Sequence, residues 1–323
     1  MKQLSIIIPC LNEERRLGPT LEALKQQSAP AEVFEVIVVD GGSSDTTTAL
    51  AHEAGVRVIQ CHRGLGRQRN TGARNASAEW IAFIDADCTA SPHWVAEALR
   101  FIAAGSADVV VGPVLVPDSG VWVERAWGKH LEMRRRIAPK TCRIYRFLST
   151  QNFIVHRRAF EKVGGLDENL TSAEDNVFAC RLWQEGFHLA YDENLIVWHR
   201  GEPKSIRDFF MQQVWHSNRQ VWRRIEAHGY GGRAFWYGIL HAACIAALLL
   251  GTVAGIFASS ALLPATILFG YLLIPLVLSV RTAWVTRSLD QMPSLAALYL
   301  IYGLARASYI LGLADLHIKG KRL

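Results

Sequence analysis

The chain has 323 residues, half of them apolar, and its formal net charge at pH 7 is +6. This length suffices for one large domain or two, and the basic balance suits a domain that lies against an anionic membrane surface. Six cysteines are scattered without Cys-x-x-Cys spacing, which argues against a disulfide framework and a zinc site and favours reduced, cytosolic thiols.

Apolar strands alternate with helices in the amino-terminal part of the chain. Strands that are apolar throughout and alternate with helices indicate a parallel sheet that is covered on both faces. The pattern predicts a βαβαβ nucleotide-binding α/β fold. The predicted strands are 4–11, 33–40, 56–61 and 79–87, and the predicted helices are 17–27, 46–54 and 67–76.

Polar clusters follow three of these strands, at 9–13, 40–45 and 85–87. Ligands of such sheets bind outside the carboxyl ends of the strands, so the three clusters should converge on one edge. Asp85 and Asp87 are two residues apart, and alternate residues of a strand end point the same way. Together they can hold a divalent cation that in turn binds a pyrophosphate, although Asp-x-Asp is also a common solvated turn.

The middle of the chain loses this regular pattern. A helix at 94–104 and a strand at 107–116 are predicted, followed by the irregular stretch 117–147, which contains Trp122, Trp127 and several arginines. Such a stretch suits either a nucleic-acid surface or a helix at a membrane interface. The apolar segments that follow favour the membrane, so we expect no nucleic-acid partner.

The carboxyl-terminal part of the chain reads as a membrane domain. Residues 235–280 contain no Asp, Glu, Lys or Arg, enough for two spans of about 20 residues each, at 235–258 and 261–280. Two core helices of a soluble protein are the alternative. Residues 295–313 contain Arg306 and form a third span, a re-entrant helix or an interfacial helix. The predicted domains are therefore 1–234 and 235–323.

The charges that flank the spans predict their orientation. The amino-terminal apolar run is too short for a signal peptide. Basic clusters lie at 219–233, 281–287 and 319–322, and by the positive-inside rule all three face the cytoplasm. The expectation is a multi-pass protein of the inner (plasma) membrane with a cytoplasmic catalytic domain.

Five motifs in fixed order give the chain a family resemblance. They are SIIIPCLNEE, VVDGGSSDTT, GRQRNTGARNASAEWIAFIDADC, NFIVHRRAFEKVGGLDENLTSAEDNVFACRLWQEG and VWHRG, and they run from residue 5 to 201. With them the chain resembles the family 2 glycosyltransferases. The resemblance implies the GT-A fold, a Rossmann-like α/β domain with a mixed sheet, followed here by transmembrane helices.

The resemblance implies a site for a nucleotide-sugar donor. Asp40 would contact the base, and a carboxylate that accepts the uracil imide N–H favours UDP. Arg69 and Asn70 match the Arg-Asn pair of the family. The alternatives are a turn or cap role for Asp40 and a solvated helix charge for Arg69. The implied nucleotide-binding residues are Pro9, Leu11, Asn12, Glu13, Asp40, Arg69, Asn70, Asp85 and Arg219.

The resemblance also implies a metal site and a catalytic base. Asp87, with Asp85 and His199, would hold Mg²⁺ or Mn²⁺, whose charge assists the departing nucleoside diphosphate. Asp175, beside Glu174, would deprotonate the acceptor hydroxyl, which implies a single displacement with inversion. Helix capping by the two carboxylates and simple packing of His199 are the alternatives.

The expected reaction transfers one sugar from a UDP-sugar to a membrane acceptor. The chain lacks the Gln-x-x-Arg-Trp motif of processive synthases in this family, which argues against repeated addition. A polyprenyl-pyrophosphate-linked saccharide is the favoured acceptor, with polyprenyl phosphate, diacylglycerol or ceramide as alternatives. An inactive scaffold that binds nucleotide sugars is the alternative from another functional class.

Overall fold

A computed structural model of the chain describes residues 2–117, 119–137, 148–170, 174–217 and 233–312. The backbone contacts divide it into two compact units, Met1–Pro117 with Ala138–Glu202, and Asp118–Ile137 with Pro203–Leu323. The sequence places a single boundary at 234. The structure groups the described residues 119–137 and 203–217 with the apolar helices, and the predicted boundary at 234 remains a prediction.

The first unit is built on a seven-stranded mixed sheet with the order β3-β2-β1-β4-β8-β6-β9. Strand β8 runs antiparallel to both of its neighbours, and the other pairs are parallel. A second sheet has the order β5-β10-β7. The strands are β1 Leu4–Cys10, β2 Phe34–Asp40, β3 Arg57–Gln60, β4 Trp80–Phe83, β5 Cys88–Ala90, β6 Val109–Val111, β7 Val114–Leu115, β8 Phe153–His156, β9 Leu189–Tyr191 and β10 Val197–His199.

Strand β1 lies inside the sheet and is buried along its whole length. Successive side chains of a strand point to opposite faces, so Ile6 and Ile8 join one hydrophobic cluster while Ile7 joins the other. Helices cover both faces, which explains why the sequence of this strand shows no polar alternation. The helices of this unit are α1 Leu17–Lys25, α2 Thr47–Glu53, α3 Leu65–Asn75, α4 Trp94–Ala104, α6 Arg157–Lys162 and α7 Glu174–Gln184.

The strand predicted at 107–116 is split between the two sheets. Strand β6 ends at Val111, and β7 begins at Val114 and pairs with β10. The break falls on Gly112 and Pro113, and proline supplies no backbone N–H for a continuous ladder. A Cβ at Gly112 would also clash with the carbonyl oxygen of Leu195. The residue at this break must therefore be small.

The second unit contains helices only, within the part of the chain that is described. Trp236–Phe257 and Leu262–Thr286 are long and apolar enough to cross a membrane, with mean hydropathies of 2.2 and 2.1. In the apolar 18-residue stretch of each helix, only 22% and 17% is buried, whereas the core helix of a soluble protein is mostly buried. The helices are α5 Trp122–Ile137, α8 Ile206–Trp215, α9 Arg233–Phe257, α10 Leu262–Thr286 and α11 Met292–Ile310.

These helices differ in detail from the predicted spans. The helix that contains the span predicted to end at 280 continues through Arg281 to Thr286. The third segment forms α11 and does not qualify as a span by hydropathy among the described residues. Of the predicted interfacial stretch 117–147, residues 122–137 form a helix, and residues 138–147 lie outside the described part.

Aromatic and polar contacts join the helices of the second unit. Trp127 packs on Phe209, with ring centroids 4.7 Å apart. His241 bonds to the hydroxyl group of Tyr271 at 2.9 Å, and its ring fills the space that a side chain at Gly303 would need. Residues from α9, α10 and α11 therefore meet at one buried point, which fixes the packing of the three helices.

Candidate active site

The loop after β1 is tied to the loop after β2. Asn12 adopts the left-handed conformation with φ of 56°, which asparagine tolerates better than most residues. Its Oδ1 accepts a hydrogen bond from the Ser44 N–H at 2.9 Å, and its own N–H donates to Ser43 Oγ. Two of the polar clusters predicted to converge are thus joined directly. Pro9 is buried within β1, and Leu11 follows it half-buried.

Asp40 makes the contacts of a turn aspartate. Its carboxylate accepts hydrogen bonds from the N–H groups of Gly42 and Ser43, both at 3.0 Å, and from the Ser43 hydroxyl group. Gly42 has a φ of +93°, which favours glycine. The turn alternative considered for Asp40 therefore describes its contacts in this structure, and recognition of the base remains a prediction.

Arg69 is the centre of the site. It lies on α3 with only 2% of its side chain exposed. Nη2 donates to Asp85 Oδ1 at 2.6 Å, and Nη1 donates to Glu174 Oε1 at 2.7 Å. Arg69 was expected to meet the base or the phosphates, whereas here it joins two carboxylates. One of them follows strand β4, and the other begins helix α7.

Asn70 holds a loop of the protein. Its side-chain amide donates to the Leu166 carbonyl oxygen at 2.8 Å and to Glu168, and its Oδ1 accepts from the Leu166 N–H. Gly165, with a φ of +68°, leaves room for this amide. The polar atoms of Asn70 are thus engaged within the protein, and contact with the nucleotide remains untested for this residue.

Asp87 and His199 meet beside the end of β4. His199 is the last residue of β10 and lies opposite Cys88 of β5, next to Asp87 in the chain. Its Nε2 lies 3.2 Å from Asp87 Oδ2, and its Nδ1 lies 3.0 Å from Glu202 Oε1. The short sheet formed by β5 and β10 therefore brings together two residues that are far apart in the sequence.

Electrostatic coupling within this cluster opposes the effect of burial. Burial alone would lower the pKa of His199, but hydrogen bonds and charges from Asp87 and Glu202 raise it well above its usual value. Burial likewise disfavours the Asp87 carboxylate, yet the hydrogen bond and charge of His199 lower the pKa of Asp87. Asp87 is thus held ionised.

The donor set suits a hard or borderline divalent cation. The ligand atoms of Asp87, Cys88 and His199 lie within 4.8 Å of one another. A Cβ at Gly201 would strike Asp87 Oδ2 and reach within 2.8 Å of His199 Nε2, so the absence of a side chain lets the Asp87 carboxylate and the imidazole ring lie against this backbone. Carboxylate oxygen and imidazole nitrogen together are typical ligands of Mn²⁺ and related ions.

Glu13 adds another carboxylate to this region. Burial and the charges of Asp87 and Asp85 raise the pKa of Glu13, and Arg16, at 3.3 Å from its Oε2, works in the opposite direction. A bound cation would reduce the repulsion between the carboxylates of Glu13, Asp85 and Asp87. The region around Asp87 therefore fits a divalent ion better than it fits a nucleoside diphosphate alone.

Glu174 and Asp175 begin helix α7. The Glu174 carboxylate pairs with Arg69, whereas Asp175 Oδ1 accepts hydrogen bonds only from its neighbour Asn176, among the contacts of the described residues. Burial and the adjacent Glu174 raise the pKa of Asp175 to about 7. A carboxylate with this pKa can accept a proton near neutral pH.

Arg219, which the resemblance implies as a contact of the donor, lies outside the described residues, so its role remains a prediction. Glu202 and Gly201 were missed by the sequence analysis. The position of Glu202 three residues after His199, in the polar stretch His-Arg-Gly-Glu, is the sequence feature that could have indicated a contact between the two residues.

Comparison with known proteins identifies a family and several relatives of this chain. The family model "Glycosyl transferase family 2" matches residues 5–164. Glycosyltransferase AglE of Haloferax volcanii is 28% identical over 241 residues, which are 69% of this chain and 78% of that protein. Poly(ribitol-phosphate) β-N-acetylglucosaminyltransferase TarS of Staphylococcus aureus is 29% identical over 196 residues, 57% of this chain but only 33% of TarS.

Solved structures share the fold at low identity. TarS 1–349 in complex with UDP-GlcNAc aligns with a TM-score of 0.52 and 17% identity over 96% of this chain and 92% of that chain. The mannosyltransferase PcManGT of Pyrobaculum calidifontis, in complex with GDP-Man and Mn²⁺, aligns with a TM-score of 0.60 and 17% identity, covering 94% and 86%. The predicted fold class is confirmed. The chain belongs to the family 2 glycosyltransferases, enzymes that transfer sugar from a nucleotide-sugar donor, and its first unit has the GT-A fold.

Proposed function

We propose that this chain is a membrane-anchored, divalent-metal-dependent, inverting glycosyltransferase that transfers one sugar to a lipid-linked acceptor. The observation that carries the proposal is the position of Arg69. Its guanidinium joins Asp85, near the candidate cation ligands, to Glu174, which precedes the candidate base Asp175. The residues proposed to bind the sugar donor and the residue proposed to activate the acceptor would thus lie on either side of the buried Arg69 guanidinium.

Asp87 and His199 would hold Mg²⁺ or Mn²⁺, with Asp85 in support. Asp87 Oδ2 and His199 Nε2 lie 3.2 Å apart, close enough to bind one such ion together. When bound, the ion neutralises charge that develops on the departing diphosphate. Because Asp87 is ionised, it can serve as a ligand without first losing a proton.

Asp175 would act as the general base. It takes the proton of the acceptor hydroxyl group while that oxygen attacks the anomeric carbon and the bond to the diphosphate oxygen breaks. No protein nucleophile is required, so the configuration at the anomeric carbon inverts, and an α-linked donor gives a β-linked product. The raised pKa of Asp175 suits this role near neutral pH.

The apolar helices support a membrane acceptor. A helix of 25 residues is about 37 Å long, enough to cross a hydrocarbon core of about 30 Å. Large apolar side chains such as Leu250, Phe257 and Phe269 are exposed on these helices. The proposed topology is multi-pass in the inner membrane with the first unit in the cytoplasm, because Arg281 and Arg287 mark the cytoplasmic end of α10.

A UDP-sugar is the first candidate donor and GDP-mannose the second. The contact predicted between Asp40 and the imide N–H of uracil favours UDP, and a relative found by sequence similarity is an N-acetylglucosaminyltransferase. GDP-mannose is favoured by the mannosyltransferase that shares the fold over most of this chain. The favoured acceptor is a polyprenyl-pyrophosphate-linked saccharide, followed by polyprenyl phosphate and by diacylglycerol or ceramide.

The test is a transfer assay with the full chain in detergent. UDP-sugars and GDP-mannose are each offered with polyprenyl-pyrophosphate-linked saccharide, with Mn²⁺ or with EDTA, and release of the nucleoside diphosphate is compared with formation of glycolipid. Metal-dependent product with a β linkage supports the proposal. Nucleotide binding without transfer to any lipid acceptor would favour the inactive scaffold, and transfer that persists in EDTA would contradict the metal site.

A further inference from the structure

The turn that follows His199 closes around Asp87. The Arg200 N–H donates to the Asp87 carbonyl oxygen at 2.9 Å, and Gly201 has no room for a side chain. The turn ends on Glu202, whose Oε1 reaches the Nδ1 atom of His199. A single turn therefore contacts Asp87 through its backbone and His199 through a carboxylate.

Glu202 is placed on the side of the imidazole ring that faces away from Asp87. The two ring nitrogens of histidine point in different directions, and here Nε2 faces Asp87 while Nδ1 faces Glu202. Both side chains are nearly buried, each with 10% of its area exposed. Glu202 therefore contacts the cation ligand rather than the place where the cation would bind.

We infer that Glu202 is a positioning residue of the cation site, which presents the Nε2 lone pair of His199 to a divalent ion. This inference rests on the proposed metal dependence. The Glu202 carboxylate accepts the Nδ1–H and keeps Nε2 turned towards Asp87. A divalent ion would bind at Nε2 once the proton that Nε2 shares with Asp87 has left to solvent. Carboxylates that bond to the second nitrogen of a histidine ligand fix its tautomer and increase its basicity, and their loss typically costs 10–100-fold in metal affinity.

The experiment titrates Mn²⁺ into the full chain in detergent with saturating UDP, and electron paramagnetic resonance reports the free ion. Glu202→Ala should raise the Kd for Mn²⁺ by about 10–100-fold. Glu202→Gln keeps an acceptor oxygen and a similar volume, so its Kd should rise less. Glu193→Ala removes an exposed glutamate of the same unit and should leave the Kd unchanged.

A double-mutant cycle separates positioning from general stabilisation. Because Glu202 acts through the imidazole, Glu202→Ala should cause no further loss in a His199→Ala background. Equal losses in both backgrounds, or an unchanged Kd in Glu202→Ala, would overturn the inference while leaving the metal site intact. If the wild-type chain with UDP binds no Mn²⁺, the proposed metal dependence fails and the inference fails with it.

Discussion

Asp87 and Asp175 are carboxylates of the same unit in opposite electrostatic surroundings. Asp87 faces His199, which lowers its pKa, whereas burial and Glu174 raise the pKa of Asp175. Acid and base roles are often divided between groups whose surroundings push their pKa values apart. The comparison indicates that Asp87 is suited to binding a cation and Asp175 to accepting a proton.

Arg69 separates these two environments. It forms ion pairs with Asp85 on one side and with Glu174 on the other. The following substitutions test the division between Asp87 and Asp175, beginning with the largest expected effect.

Asp175→Asn should abolish turnover and leave donor binding intact. The amide cannot accept the proton of the acceptor hydroxyl group, and the loss of a general base lowers kcat by roughly 10²–10⁴-fold or more. Rates are measured at saturating donor and acceptor, and UDP affinity is measured in parallel. An asparagine variant with the wild-type rate would remove Asp175 from the mechanism.

Arg69→Met should destabilise the fold strongly. Glu174 is buried, and removing one partner of a buried ion pair leaves an uncompensated charge that costs about 3–5 kcal/mol. The measurement is the free energy of unfolding in denaturant, with Arg74→Met on the same helix as the control, because Arg74 is largely exposed. Adding Glu174→Gln to Arg69→Met should recover part of the loss, and equal stability of the two arginine variants would contradict this account.

Gly201→Ala should weaken metal binding while the fold remains. The added methyl group strikes Asp87 Oδ2, and the displacement of one ligand should raise the Kd for Mn²⁺ about tenfold or more. Gly18→Ala is the matched control, since a Cβ there meets no atom within 4 Å. Similar affinities for the two variants would show that Gly201 does not shape the cation site.

The rate should follow the ionisation of Asp175. Its raised pKa of about 7 means that the base is protonated at lower pH, so kcat should fall about tenfold per pH unit below 7 and level off above it. The profile is measured at saturating substrates. The residual activity of Asp175→Asn should lack this dependence, and an identical profile in that variant would assign the ionisation to another group.

Much of the first unit could be predicted from the sequence because its strands are buried on both faces. The helix predicted at 94–104 has the same bounds in the structure, where it ends at Gly105 in the left-handed conformation. The need for glycine at position 112 could not be predicted in the same way. It depends on the carbonyl oxygen of Leu195, which lies far away in the sequence.

The site was only partly predictable for the same reason. The motifs single out Arg69 and Glu174, but the two residues are 105 positions apart, and only the fold reveals that they pair. Glu202 carries no motif, and the role inferred for it depends on the ring orientation of His199. Local patterns thus predict candidate residues one by one, whereas long-range contacts decide which of them lie together.

The most direct test compares UDP affinity, with and without Mn²⁺, in Asp87→Ala and Asp175→Asn. The account predicts that Asp87→Ala loses the increase in affinity that Mn²⁺ gives the wild-type chain, while Asp175→Asn retains it. If both variants retain the increase, or if both lose it, the division between a cation-binding carboxylate and a proton-accepting carboxylate is wrong.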